Sequence, residues 1–376
     1  MTVRIPLSAP DITQAEIDAV TRVLRTPTLS LGPELVAFES ALAQYHSVPH
    51  AVAVSSGTTG LHLALLALAI GPGDEVIVPS FAFVAVANAV LQVGATPVFA
   101  EIDPATLNLA PAAVEQAITT RTRAILVVHT FGIPAEMAEL QWLATRHGIA
   151  LIEDACEAIG AEFHGRPVGS FGDAAVFGFY PNKQITTGEG GAVLTRRSDL
   201  AALLRSLRNQ GRSSELDWLD HARIGYNYRL SEMACALGAV QLGRIGEILA
   251  ARRIVAERYH ALLSNIDGLR LPPLALPGRT ISWFVYVIVL PEHADRNGIR
   301  AMLLERGIAT GRYFAPIHQQ PAWLNHPSAK YALLPITEAI AGCSLALPFF
   351  TRIRLEDQQE VAAALNDYLR GQRRTR

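Results

Sequence analysis

From Pro33 to about Thr195, short apolar runs rich in valine and isoleucine alternate with helix-like stretches, and no other feature constrains the fold of this chain as strongly. Strands joined by crossover helices pair in parallel, and a parallel sheet is covered on both faces, so its strands read as continuous apolar runs. The clearest runs are Val76 to Val78, Pro97 to Phe99, Ala124 to Val128, Ala150 to Ile152, Ala174 to Phe177 and Ala192 to Leu194. Helices are predicted over Glu34 to Tyr45, Thr59 to Ala69, Ala82 to Val93, Pro111 to Ile118 and Glu136 to His147. The turn signals Gly71-Pro-Gly-Asp74 and Ile102-Asp-Pro104 separate such elements. An α/β domain with a parallel sheet is the expectation.

After Leu230 the texture changes. A long helical stretch from Ser231 to about Asn265 leads into the proline-rich Leu271-Pro-Pro-Leu-Ala-Leu-Pro-Gly278, a strand over Phe284 to Leu290, and helices over Asp295 to Glu305 and Glu356 to Leu369. At 376 residues the chain exceeds one simple core, and two unequal domains are expected, 1–242 and a smaller 243–376, divided near Gly243. Half the residues are hydrophobic, enough for a large subunit interface as well.

The balance of 32 basic against 34 acidic residues gives no field that would gather nucleic acid or an anionic membrane. Cys156, Cys235 and Cys343 have no paired spacing, so neither a disulfide framework nor a zinc site is indicated. The start of the chain lacks the pattern of a signal peptide, and apolar runs such as Trp283 to Leu290 are too short to cross a bilayer. A soluble protein of the reducing cytosol is expected.

Three segments carry chemistry. Lys183 sits among glycines and aromatics in Gly178-Phe-Tyr-Pro-Asn-Lys-Gln-Ile-Thr-Thr-Gly-Glu-Gly-Gly191, the setting of a lysine that captures a carbonyl as a Schiff base, although a lysine in a turn between two strands reads the same way. In Ala53-Val-Ser-Ser-Gly-Thr-Thr-Gly-Leu61 a strand end meets small hydroxyl residues and then a helix, so backbone N–H groups with Ser56, Thr58 and Thr59 can hold a phosphate; a plain N-cap is the alternative. Asp154 ends the strand that begins at Ala150, at the carboxyl edge where such sheets bind ligands, and it also suits a helix N-cap. Phe83 lies beyond another strand end, where its ring could cover a flat cofactor or simply join the core. An amine, a carboxylate and an anion loop together match the aldehyde, pyridinium and phosphate of pyridoxal 5′-phosphate.

The segments Ser55-Ser-Gly-Thr-Thr-Gly60, Gly73-Asp-Glu-Val-Ile-Val-Pro-Ser80, Glu153-Asp-Ala-Cys-Glu157, Pro181 to Gly191, Gly225-Tyr-Asn-Tyr-Arg-Leu230 and Pro316-Ile-His318 resemble the DegT/DnrJ/EryC1/StrS sugar aminotransferases, in order, from about Pro6 to Leu369. The resemblance implies fold type I, with a mostly parallel seven-stranded sheet and a smaller α+β domain, and a homodimer whose active sites lie at the subunit interface. It implies Lys183 as the lysine bound to the cofactor, Asp154 on the pyridine nitrogen, and Gly57, Thr58 and Thr59 at the phosphate. Phe83 matches the ring-stacking aromatic, Glu157 a position near the cofactor hydroxyl, and Asn227 an asparagine that reaches the neighbouring subunit's phosphate. Gly178 departs from the pattern, since many members have serine there.

Arg229 is a candidate for a substrate phosphate or carboxylate, with an interface salt bridge as the alternative. His318, in a loop between prolines, is a candidate substrate neighbour, with a structural role as the alternative. The implied reaction moves an amino group, from glutamate by family analogy, to a keto sugar carried on a nucleotide. A sugar dehydratase of the same fold is disfavoured because those relatives have histidine in place of the lysine, and a non-catalytic cofactor-binding regulator would be expected to carry an added DNA-binding module or basic face.

Overall fold

The structure is a computed structural model that describes residues 3–374 apart from 214, 215, 218 and 331. Two helices, α1 (Gln14–Leu24) and α2 (Pro33–Tyr45), precede the sheet. Then β1 (His50–Val54), α3 (Gly57–Ala67), β2 (Glu75–Pro79), α4 (Ala85–Gln92), β3 (Thr96–Ala100), α5 (Pro111–Ala117), β4 (Thr122–Val128), α6 (Met137–His147) and β5 (Ala150–Asp154) follow as crossover units. A short hairpin, β6 (Glu162–Phe163) with β7 (Arg166–Pro167), leads to β8 (Ala174–Gly178), β9 (Gly191–Thr195) and α7 (Ser198–Arg208).

Seven strands form one sheet in the order β1-β9-β8-β5-β4-β2-β3. Neighbours from β8 to β3 are parallel, whereas β9 runs antiparallel to both β1 and β8. Successive side chains point to opposite faces, and both faces are dry. In β4, Leu126 joins the core under α3 and α4, and Ile125 and Val127 join the one under α6. That is why these strands carry no polar alternation. Asp154, Gly178 and the β1–α3 turn consequently share one edge of the sheet.

The expected continuous helix over Ser231 to Asn265 is instead two helices, α8 (Glu232–Gly243) and α9 (Ile245–Leu263), bent by 64°. Arg244 at the bend reaches Glu16 at 2.7 Å and Asp11 at 3.2 Å, and Gln241 donates to Glu16 at 2.8 Å. The capping box of α1, where Thr13 and Glu16 bond each other, fixes that carboxylate. The partners that bend the helix therefore lie more than 200 residues away in sequence, beyond the reach of local periodicity.

Beyond α9, β10 (Arg279–Thr280) pairs with β6, and β11 (Tyr286–Val289) pairs antiparallel with β12 (Ser344–Leu347). The helices α10 (Arg296–Glu305), α11 (Pro327–Lys330), α12 (Pro335–Cys343) and α13 (Leu355–Arg374) complete the chain. A second core gathers Val255, Tyr259, Tyr286, Leu345, Leu347 and Leu365, and it includes Ile5 from the start of the chain. We propose that the smaller domain begins at the bend near residue 243 and takes in the segment around Ile5. Among the described residues no single helix is long and apolar enough to cross a membrane.

Candidate active site

The sheet edge opens into a cavity of about 410 Å³ lined by Ser56, Gly57 and Thr58 from the head of α3, by Asp154, Cys156 and Glu157 after β5, and by Lys183 from the β8–β9 connection. Phe83 lines it too and is 62% exposed at the mouth. Six of the residues predicted from sequence are thus brought together: Gly57, Thr58, Phe83, Asp154, Glu157 and Lys183. A larger, more open hollow of about 830 Å³ lies beside α7, but it holds none of them.

Lys183 Nζ lies 3.4 Å from Glu157 Oε1 and 4.0 Å from the centre of the Phe284 ring. Burial raises the Glu157 carboxyl above its ordinary range, against the opposing effects of the Lys183 ammonium and the Phe131 N–H, which donates to Glu157 at 3.0 Å. Asp154 is 8% exposed, and its Oδ1 accepts the Cys156 N–H at 3.0 Å. The strand beneath it is held firmly. Glu153, its neighbour on the opposite face, accepts N–H groups from Gly169, Phe171 and Gly172, each at 2.8 Å, and His129 Nε2 at 3.1 Å. Because the Ala135 N–H donates to His129 Nδ1, the imidazole proton belongs on Nε2, facing Glu153.

At the head of α3, Ser56 is the N-cap and Thr59 completes a capping box. The Thr59 hydroxyl donates to the Ser56 carbonyl at 2.8 Å and accepts the Ser56 N–H at 3.0 Å, so it serves the helix start and does not line the cavity. The two sequence readings therefore divide between neighbours. Thr59 caps, while Gly57 and Thr58 face the open space. Gly191 backs this loop closely: a Cβ there would stand 2.6 Å from the carbonyl carbon of Ser56. A Cβ on Gly178 would meet Cys156 Sγ at 3.2 Å, so the thiol fills the space beside this departure from the family pattern. Burial, helped by Asp154, pushes that thiol well up, which keeps it protonated.

Besides Thr59, three sequence candidates lie off the cavity of this chain. Asn227 is exposed, on a segment whose Tyr226 N–H donates to the Leu207 carbonyl and whose Tyr228 carbonyl accepts the Ser55 N–H. Among the described residues Arg229 reaches only amide oxygens, Asn209 at 3.0 Å and Gln210 at 3.4 Å. His318 is a different case, since Nδ1 bonds Ser80 Oγ at 2.7 Å and Nε2 meets Glu338 at 3.2 Å, tying the end of β2 to α12. Within one chain its imidazole is an internal strut.

Sequence reasoning passed over Phe284, Tyr313 and Asn182, which also line the cavity. One available signal went unused: only two of the 32 basic residues are lysines, Lys183 and Lys330. Against that background a lysine buried at a cavity is conspicuous.

The donor set suits pyridoxal 5′-phosphate. An amine, a carboxylate and a helix N-terminus bearing hydroxyls converge, Gly57 and Gly191 let the head of α3 pack tightly where a Cβ would meet Cys156 Sγ at 2.8 Å and the Ser56 carbonyl carbon at 2.6 Å, and Asn182 Oδ1 is buried with no hydrogen-bond partner among the described residues. Fold and site together define a vitamin B6-dependent transferase of fold type I. The model of the DegT/DnrJ/EryC1/StrS aminotransferase family matches residues 10–366, and the chain belongs to that family, whose members are pyridoxal phosphate-dependent. It is 41% identical over 371 residues to the GDP-perosamine synthase of Caulobacter vibrioides, covering 97% of this chain and 98% of that one. It is 37% identical to the pleiotropic regulatory protein of Geobacillus stearothermophilus, over 93% and 92% of the two chains. Among solved structures, DesV of S. venezuelae superposes with a TM-score of 0.87 at 38% identity, over 94% of each chain.

Proposed function

We propose that this aminotransferase moves an amino group from glutamate to a keto sugar carried on a nucleotide, in the cytoplasm, as a homodimer with shared active sites. The observation that carries the reading is the convergence of Lys183, Asp154 and the head of α3 on one cavity. The likeness to a GDP-perosamine synthase supports the class of acceptor.

When bound, pyridoxal phosphate supplies a carbonyl for the amino group and an electron sink for the carbanion left when a proton is removed. Lys183 Nζ would hold the cofactor aldehyde between turnovers. Once free, that amine is the base that takes the proton from the donor α-carbon and the acid that returns one during the second half of the reaction. Asp154 would pair with the ring nitrogen and favour its protonated form. The N–H groups of Gly57 and Thr58, with the Ser56 and Thr58 hydroxyls, would hold the phosphate at the positive end of α3. Phe83 and Glu157, which line the same cavity, would lie against the bound cofactor, Phe83 at its ring and Glu157 near its hydroxyl.

Asn227 is assigned to the phosphate of the neighbouring subunit, and Arg229, whose own contacts are neutral amides, to an anionic group of the substrate. His318 would approach substrate only if a second chain brought one to its surface.

Purified enzyme given glutamate and a panel of nucleotide-linked keto sugars should release 2-oxoglutarate with at least one of them. A visible absorption band that bleaches with glutamate is expected beforehand. A band indifferent to every amino donor would favour the regulator instead, and loss of sugar oxygen without amine incorporation would favour the dehydratase.

A further inference from the structure

Arg252, in the middle of α9, is 2% exposed, yet among the described residues its hydrogen-bond partners are main-chain carbonyls alone. Nη2 donates to the carbonyl of Lys183 at 3.0 Å, and Nη1 to those of Phe284 at 3.1 Å and Trp283 at 3.4 Å. The guanidinium carbon lies 5.6 Å from the centre of the Phe349 ring, and no carboxylate among the described residues forms an ion pair with Arg252. Burial lowers its pKa to about 10, against the distant pull of Asp11. A buried cation without a counter-ion is costly, and an apolar side chain of similar volume would fill the space more favourably. Packing alone therefore does not account for arginine here. Its planar fork, with donors fixed in direction, does what a hydrocarbon cannot.

The three carbonyls belong to the two segments that flank the Lys183 amine. One is the main chain of Lys183 itself, and the others adjoin Phe284, whose ring lies 4.0 Å from Nζ. Gln184 makes a second tie: its Nε2 donates to the Glu157 carbonyl at 2.6 Å and to Ser282 Oγ at 2.9 Å. Lys183 and Gln184 are thereby pinned to Ser282–Phe284 and to the backbone of Glu157, the residue whose carboxylate meets Nζ at 3.4 Å.

We propose that Arg252 is a positioning residue for the Lys183 amine, holding Nζ between the face of Phe284 and the carboxylate of Glu157 through main-chain carbonyls alone among its described hydrogen-bond partners. The proposal rests on the reading of Lys183 as the reacting amine. Removing the fork leaves three buried carbonyls without donors, and the two segments would slip relative to each other. A displacement of the reacting amine on the order of 1 Å costs about a hundredfold in rate.

Wild type, Arg252→Met, Arg252→Lys and Phe284→Leu would be compared in two measurements. The first is competitive acetylation of the cofactor-free proteins, read as the ratio of label on Lys183 to label on Lys330 by peptide mass spectrometry. The second is steady-state kinetics of the loaded enzymes. In Arg252→Met the labelling ratio should change at least severalfold, and kcat should fall by about a hundredfold with the donor KM little altered. Arg252→Lys, which keeps the charge but reaches a single carbonyl, should lie between. If Arg252→Met does not fold, Arg252→Lys and Phe284→Leu decide, and each should show the altered ratio. Wild-type ratios and wild-type kcat in the folded variants would overturn the proposal. Borohydride reduction of loaded wild type separates the two claims: label on Lys330 sinks the role of Lys183, whereas label on Lys183 with unaffected variants sinks only that of Arg252.

Discussion

Lys183 Nζ and Glu157 Oε1 lie 3.4 Å apart with both side chains largely shielded from water, a pair whose attraction must offset the burial of two charges. Burial dominates for Glu157 and holds its carboxyl above the ordinary value of 4.5. A group raised in this way contributes stability that is fully present below its unfolded pKa and is lost as pH rises through the folded one. Glu157→Gln removes that dependence. Between about pH 4 and pH 8, cofactor-free wild type should lose stability relative to the variant as pH rises, measured as the difference in thermal midpoints. A difference that stays constant across the range would show that the carboxyl is not raised.

Having only two lysines makes the covalent assignment simple to test. Reduction of loaded enzyme with borohydride should fix the cofactor on the peptide bearing Lys183 and leave Lys330 unmodified. Lys183→Ala should cut turnover to below about a thousandth while leaving circular dichroism unchanged, as expected when a general base and point of attachment is removed. Lys330→Arg should retain wild-type rates. Modification at Lys330 in the wild type would refute the assignment.

Glu153 works through the scaffold. Burial would raise its carboxyl, but the His129 ring and the N–H groups of Gly172 and Gly169 outweigh burial and hold it below its usual range. Stability from such a group is present above the unfolded pKa and is lost as pH falls through the folded one. Glu153→Gln turns an amide N–H₂ toward groups that are themselves donors. It should cost about 3 kcal/mol in denaturant unfolding at neutral pH, and the deficit should shrink in acid, where wild type loses the same carboxylate. An equal deficit at all pH values would mean that the charge contributes nothing.

How far the site could be read from sequence depended on distance along the chain. Asp154 and Gly57 were legible because a parallel strand followed by a turn delivers its next residues to the carboxyl edge, a relation local in sequence. Lys183 was legible from its glycines and aromatic neighbours. Phe284 and Arg252 were not, because each meets Lys183 only through tertiary packing across 69 or more residues. The bend at Arg244 was hidden for the same reason: an apolar period continues through it, and the carboxylates that hold it belong to Asp11 and Glu16. Asn227 is exposed and Arg229 half-buried on a segment off the cavity of this chain, so neither the periodicity nor the burial around them gives a ligand-facing role.

Thr58 and Thr59 separate the two meanings of a hydroxyl at a helix start. Thr59 bonds the Ser56 N–H and carbonyl, whereas Thr58 lines the cavity. Thr59→Val should therefore lower the stability of the cofactor-free protein by about 1 kcal/mol, the usual worth of a cap, since the first turn of α3 loses its partner while the cavity lining is unchanged. Thr58→Val removes no side-chain bond made among the described residues, so its unfolding should be nearly unaffected. It should instead weaken binding of pyridoxal phosphate by roughly tenfold, the worth of one hydrogen bond to a charged group. Fluorescence titration with the cofactor and thermal unfolding of both variants give the comparison. If Thr59→Val proved the weaker binder and Thr58→Val the less stable protein, the hydroxyl assignments at this helix start would have to be exchanged.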